Sequence, residues 1–196
     1  METLRTFIAI HLPAHLLTEL ESIQHTLAGR VPVNRVRWVN TAGIHLTLKF
    51  LGETPVERLP EIYQALETVA RHATGGDFIL QGVGCFPNTK RPRVIWAGVA
   101  EGPPTGWLTL LQQAVEEAMT NFGYPPERRP FHPHLTLGRV KKGVPSGDVA
   151  RIGAVVADTA IGQIGQTTAE RFAIIRSVLK PSGAEYTTLK EFPLCP

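Results

Sequence analysis

Apolar positions recur along this chain with two alternating periods, about two residues for strands and about 3.6 for helices. Residues 4–12, Leu-Arg-Thr-Phe-Ile-Ala-Ile-His-Leu, read as a buried strand. Pro13 suits the first turn of a helix, and Leu16, Leu17, Leu20, Ile23 and Leu27 form a helical stripe over 14–28 that Gly29 closes. A short strand over 36–39 and a turn over 40–43 lead into a strand over 44–52 that ends at Gly52. A helix over 55–72 carries Leu59, Ile62, Leu66 and Val69 on one face. Strands over 77–86 and 92–99 flank the basic turn Pro87-Asn88-Thr89-Lys90-Arg91-Pro92. A helix over 105–122 stops at Gly123, residues 124–133 are proline-rich and irregular, and a strand covers 134–140. The stretch 141–168 is rich in small residues and suggests one short helix near 147–157. Two strands, 170–180 and 185–192, close the chain as a hairpin around Pro181-Ser182-Gly183-Ala184. The hairpins imply antiparallel pairing, so the fold class is α+β rather than a doubly wound parallel sheet.

One four-residue pattern occurs twice in this frame, His45-Leu46-Thr47-Leu48 and His134-Leu135-Thr136-Leu137. In an extended strand the His and Thr of each copy share a face about 7 Å apart, and the leucines share the other. Each copy is therefore a strand with an apolar back and a chemically useful front.

Composition changes this picture little. The chain has 196 residues, 43% hydrophobic and 19% charged, which suits one domain or two small lobes sharing a core. Cys85 and Cys195 make neither a disulfide framework nor a CxxC metal site, so both read as reduced thiols. The apolar run near the start is too short for a membrane helix and lacks a small-residue cleavage site, which suggests a soluble, cytoplasmic protein.

Net charge is only +3, but its distribution matters. Windows 22–52, 78–100 and 128–147 contain no Asp or Glu, yet hold 12 of the 20 Lys and Arg residues. Both His-Leu-Thr-Leu copies lie in such windows, which predicts a positive field suited to an anionic ligand.

Two His on facing strands can act as one acid and one base, because imidazole is accessible in both forms near neutrality. Hydrolysis of a phosphodiester needs that pair, one group taking a proton from water and the other giving one to the departing oxygen. In-line displacement places them on opposite sides of phosphorus. Thr47 and Thr136 can donate hydrogen bonds to the non-bridging oxygens, and a nearby cation can stabilise their charge. The lack of carboxylates argues against a Mg²⁺ or two-metal site. Zinc on His132 and His134 is a competing reading, disfavoured by the intervening Pro133 and the lack of a nearby Cys or Glu.

With these residues in view, the chain resembles the 2H phosphoesterases, named for two His-x-Thr-x motifs, and among them the RNA 2′,3′-cyclic phosphodiesterases also called 2′-5′ RNA ligases. The resemblance rests on Arg5-Thr6-Phe7-Ile8-Ala9-Ile10, Trp38-Val39, His45 through Gly52, Phe86-Pro87 with Arg91 through Gly98, Arg129 through Arg139, and Glu191 through Leu194. It implies a single bilobal catalytic domain over 1–196. Two pseudo-symmetric lobes, each an antiparallel sheet with outer helices, would flank a central cleft in a LigT-like fold.

The resemblance also implies a reaction without metal or cofactor, in which a 2′,3′-cyclic phosphate end of RNA is opened to a 2′-phosphate. His45 would be the proton donor to O3′, His134 the proton acceptor from water, and Thr47, Thr136 and Arg139 would hold the phosphate. Run in reverse with a 5′-hydroxyl, the same site would form a 2′-5′ link. Arg139 stands at an odd offset from His134, so reaching the front requires a strand end or a bulge.

Lys90, Arg91, Arg93, Arg128 and Arg129 are candidate RNA phosphate contacts. Phe50, Phe86 and Phe131 are candidates to stack a terminal base. His11, His15, His25 and His72 have no assigned role. The expected partner is RNA with a cyclic phosphate end, single-stranded or tRNA-like, with no membrane and no obligate protein partner; a monomer is the default. The alternatives are a cyclic phosphodiesterase for small nucleotides and a non-catalytic RNA-end binder.

Overall fold

The computed structural model describes residues 2–180 and 183–195. In chain order the elements are β1 (Thr3–His11), α1 (Ala14–Ala28), β2 (Val36–Trp38), β3 (His45–Pro55), α2 (Leu59–His72), β4 (Gly76–Phe86) and β5 (Val94–Glu101). They continue with α3 (Trp107–Thr120), β6 (His134–Val140), α4 (Ser146–Asp158), β7 (Gln163–Ala169), β8 (Arg171–Lys180) and β9 (Gly183–Pro193). The strands form two antiparallel sheets, ordered β3-β1-β8-β9 and β2-β6-β5-β4-β7. The first contains His45 and the second His134. Helices α2 and α3 lie against the first sheet, α1 and α4 against the second, and one apolar core runs beneath both. The α+β expectation holds.

Both motif strands alternate as their sequences require. Leu46, Leu48, Leu135 and Leu137 are buried, while His45, Thr47, His134 and Thr136 are only partly covered. Then both strands break step at the same place. On β3, Thr47 pairs with Ala9 and Lys49 with Ile8, leaving Leu48 as an extra residue. On β6, Thr136 pairs with Trp96 and Gly138 with Ile95, leaving Leu137 extra. A bulge turns two successive residues to one side and reverses the parity of all that follow. Leu48 and Lys49 are both buried, as are Leu137 and Gly138. Phe50 and Arg139 therefore come round to the front, which is the bulge that the odd offset of Arg139 required.

Three expectations change. Strand β3 does not stop at Gly52 but runs to Pro55, because Gly52 sits at φ +73 beside a second bulge and pairing with β1 resumes beyond it. Helix α2 accordingly begins at Leu59, after a 3₁₀ turn over Val56–Arg58. Strand β7 is unannounced in the sequence; it is a polar edge strand held by backbone pairing to β4. Of the closing turn, Pro181 and Ser182 lie outside the described residues, while β8 and β9 pair up to Lys180 and Gly183.

Lys49, sent to the back by the bulge, is one of the few buried charges. Its Nζ donates to Glu116 Oε1 of α3 at 2.5 Å and to the Pro125 carbonyl at 3.0 Å. The same carboxylate oxygen accepts the Glu127 N–H at 2.8 Å. The first motif strand thus anchors the irregular segment that delivers His134. Removing one member of such a pair leaves an uncompensated buried charge, at about 3–5 kcal/mol. Lys49→Met should lose stability of that order in urea denaturation, and the double variant Lys49→Met, Glu116→Leu should recover most of it. A single-variant loss below about 1 kcal/mol would show that the pair behaves as a surface pair.

Candidate active site

Each motif His is set in the same way by its own backbone. His45 Nδ1 donates to the Gly43 carbonyl at 2.8 Å, and His134 Nδ1 donates to the His132 carbonyl at 2.7 Å. A carbonyl can only accept, so Nδ1 carries hydrogen in both rings and Nε2 is left for chemistry. Gly43 closes a 3₁₀ turn over Thr41–Gly43 that Asn40 caps by accepting the Ala42 N–H. A Cβ on Gly43 would meet the Tyr186 ring at 2.8 Å, so only glycine allows the turn and that ring to lie together.

The aromatic surroundings differ. Phe7 stacks on His45, with centroids 4.4 Å apart and planes at 26°. Tyr186 of β9 meets the same imidazole edge-on at 5.1 Å. On the other sheet, Phe86 meets His134 edge-on at 4.8 Å while also lying against Trp96. Phe86 is thereby committed to the site wall. Phe131 is partly buried against the core, and Phe50 is 66% exposed beside Phe7, with centroids 6.0 Å apart.

The two His belong to one site. Strands β3 and β6 lie against each other. Tyr186, in contact with His45, feels the charges of Arg139 and Arg5, and His134 also feels Arg139. Among the described residues the hydroxyls of Thr47 and Thr136 have no hydrogen-bond partner in the protein, so both are free for a ligand.

The positive field is narrower than the charge windows suggested. Arg30, Arg35 and Lys49 are neutralised by Asp158, Asp148 and Glu116. Among the described residues Arg37, Lys90, Arg91, Arg93, Arg128, Arg129, Arg139, Lys141 and Lys142 have no carboxylate partner. Arg37 is directly opposite Arg139 in the β2–β6 ladder, so two guanidinium groups share one face unneutralised. No group of three or more His, Cys, Asp or Glu side chains placed to hold a metal ion occurs among the described residues.

Burial lowers the pKa of both His. His45 falls to about 4, chiefly from burial, with a smaller push from His11 and partial opposition from its bond to Gly43. His134 is also lowered, first by burial and then by Arg139 and His132, against the bond to His132. Without an anion in the cleft both imidazoles are neutral at pH 7.

Known proteins match this chain in sequence and fold along most of its length. The family described as "LigT like Phosphoesterase" matches residues 10–96 and 99–186. The chain belongs to the LigT-like phosphoesterases. The two matched segments start 89 residues apart, the interval that also separates His45 from His134 and Phe50 from Arg139. A curated relative from Archaeoglobus fulgidus, named RNA 2′,3′-cyclic phosphodiesterase, is 32% identical over 96% of this chain and 99% of its own. One of the same name from Thermus thermophilus is 34% identical over 97% of this chain and 90% of its own. Among solved structures, a protein of Thermus thermophilus matches with TM-score 0.78 and 31% identity over 97% of both chains. E. coli LigT complexed with 3′-AMP matches with TM-score 0.77 and 26% identity over the whole of both. No helix among the described residues is long and apolar enough to cross a membrane.

In this phosphoesterase several site-lining residues escaped the sequence reading. Phe7 and Tyr186 contact His45 only through long-range strand pairing, and no local signal points to them. Arg37 had a signal, since it lies in an acid-free window shortly before the turn that leads to His45.

The electrostatics can be checked by NMR titration of the imidazole protons in the ligand-free protein. His45 should titrate near 4 and His134 below the usual 6.5. Adding adenosine 2′-monophosphate should move both upward. A His45 value at or above 6.5 would refute this account. The sign for stability follows: the unfolded chain binds protons at His45 below about pH 6.5 while the folded chain does so only near 4. Stability is therefore full above 6.5 and falls as pH drops toward 4, by on the order of 3 kcal/mol.

Proposed function

We propose that this phosphoesterase opens 2′,3′-cyclic phosphate ends of RNA to 2′-phosphates by metal-independent acid–base catalysis. The observation that carries the reading is the pair of imidazoles with Nδ1 tied to a carbonyl and Nε2 free, beside an unneutralised Arg139. The names of the relatives supply the substrate class. The nine cations of the acid-free windows that have no carboxylate partner among the described residues favour a polyanion over a small nucleotide.

His134 Nε2 takes a proton from water, whose oxygen attacks phosphorus in line with the P–O3′ bond. That bond breaks, and O3′ leaves with the proton of His45 Nε2. Thr47, Thr136 and Arg139 hold the non-bridging oxygens as their charge grows. Exchange with water then resets the two His. In the free protein a His45 pKa of about 4 leaves roughly one molecule in a thousand protonated at pH 7. The cyclic phosphate carries the negative charge that corrects this, so substrate itself arms the acid. Run backward with a ribose 5′-hydroxyl in place of water, the steps form a 2′-5′ link. We read residues 1–196 as one bilobal catalytic domain working in the cytoplasm.

A small-nucleotide substrate is the second reading, favoured by E. coli LigT structures holding 3′-AMP, NADP+ and ATP. The product end of an oligonucleotide carrying a 2′,3′-cyclic phosphate tests the first. A 2′-phosphate is expected, with His45→Ala and His134→Ala each lowering kcat by about a hundredfold or more while retaining the fold. A 3′-phosphate product, or near-normal activity in either variant, would reject the assignment. Activity should survive EDTA in full; an absolute metal requirement would revive zinc at His132 and His134. The pH–rate profile should be bell-shaped, with an acid limb below 6.5 because His134 is depressed.

A further inference from the structure

The two sheets treat their basic residues differently. On the strands of the first sheet Lys49, Arg171, Lys180 and Lys190 each have a carboxylate partner, leaving Arg5 and Arg176 without one among the described residues. At the end of the second sheet that β6 reaches after His134, Lys90, Arg91, Arg93, Lys141 and Lys142 are all exposed, and none has such a partner among the described residues. The backbone gathers these five. Lys90 and Arg91 lie in the turn between β4 and β5, where the Asn88 side chain accepts both of their N–H groups at 3.0 Å. The Val140 N–H donates to the Arg93 carbonyl at 2.9 Å, so the strand that leads into Lys141 is bonded to the residue that closes this turn. The turn is also seated on α4, with the Thr89 carbonyl so close over Gly153 that any Cβ there would collide with it. Asp148, the first acid after Lys142 in the chain, is already held by Arg35 at 2.6 Å.

This asymmetry meets another in the chemistry. With His45 protonating O3′, the ribose that carries the cyclic phosphate faces the first sheet. The attacking oxygen comes in line from the opposite side, beside His134 on the second sheet. Water attacking from there needs no row of cations. A 5′-hydroxyl attacking from there brings an RNA chain with it, a polyanion on the side where the row stands. We propose that Lys90, Arg91, Arg93, Lys141 and Lys142 seat the strand whose 5′-hydroxyl takes the place of water, so that this face is the acceptor site of an RNA-joining reaction. The proposal rests on the cyclic phosphodiesterase reading above and adds to it a second substrate strand. The 5′ oxygen bonds to phosphorus and its proton passes to His134. The P–O3′ bond breaks and O3′ takes the proton of His45, leaving a 2′-5′ phosphodiester and a 3′-hydroxyl. One phosphodiester bond replaces another, so no further reactant is required.

The test follows two products in one mixture. A trinucleotide with a 2′,3′-cyclic phosphate end, its own 5′ end phosphorylated so that it cannot act as acceptor, is incubated with increasing amounts of a 5′-hydroxyl decanucleotide. Wild type is compared with the double variant Lys141→Gln, Lys142→Gln. Both side chains are exposed, so the melting temperature should not move. The variant should raise the KM for the 5′-hydroxyl strand roughly tenfold. Its hydrolysis of the trinucleotide alone should stay within about twofold of wild type. A long cyclic-ended strand tests the rival seat: if the variant weakens that strand and not the 5′-hydroxyl strand, the row holds the donor and the proposal falls. Hydrolysis by wild type with no joined product at saturating 5′-hydroxyl strand would also overturn it.

A binding arm reads the row without turnover. The fluorescence anisotropy of the labelled 5′-hydroxyl decanucleotide, with no cyclic end present, gives its affinity between about 50 and 200 mM salt. The plot of log affinity against log salt should be shallower by about 1.4 in the variant, the share of two lysine–phosphate contacts on a single strand. Equal slopes, or no binding by wild type, would count against the row. If wild type opened no cyclic end, the catalytic reading would fall, and this arm would still decide whether the row holds an RNA strand.

Discussion

Just after its Thr, each motif strand carries a residue that the neighbouring strand does not pair, and the site depends on that surplus. Without the bulges, strict alternation would keep His45 and Thr47 in front but send Phe50 to the core and expose Lys49. It would likewise aim Arg139 away from His134. The extra Leu48 and Leu137 correct both at once. On the second sheet the bulged carbonyl of Leu137 is held by the Val39 N–H at 2.9 Å and by the buried Gln24 side chain at 2.7 Å. On the first, the displaced Lys49 finds Glu116, and through it steadies the segment that presents His134. A local defect in pairing thus becomes a link between the two halves.

What was legible in the sequence was whatever a strand or helix decides for itself. The shared face of His45 and Thr47, the leucines behind them and the helical stripe at Leu16, Leu20, Ile23 and Leu27 are consequences of period alone. What was not legible is decided between strands distant in sequence. Whether Gly52 ends β3 or passes through a bulge depends on how β1 pairs with it, and nothing within the β3 sequence states that register. Strand β7 lacks an apolar face because an edge strand can be held by its ladder. Tyr186 lies 141 positions beyond His45 and reaches it only because β9 folds back into the same sheet. The charge windows overcounted, because Arg30, Arg35 and Lys49 meet acids from outside them.

Among the described residues no carboxylate pairs with either imidazole, and this has a chemical logic. An Asp or Glu on Nδ1 would raise the pKa of its His and keep an acid ready at neutral pH. It would also place a negative charge beside the position a phosphate must occupy. A backbone carbonyl fixes the same tautomer and orientation without a net charge, but it supports the protonated ring more weakly, and burial then wins. On the proposed mechanism the protein in this way exchanges a permanently armed acid for an attractive cleft, and the missing protonation comes with the substrate's phosphate. Arg139 makes the exchange asymmetric. Its charge adds to the burial that keeps His134 neutral, whereas the more deeply buried His45 has only the smaller push of His11 and the edge of Tyr186. On the proposed mechanism, a base kept neutral beside a fixed cation and an acid that gains its proton with the substrate's phosphate are two different devices built on the same four-residue motif. Part of the difference between them comes from Arg139, which the second bulge turns forward.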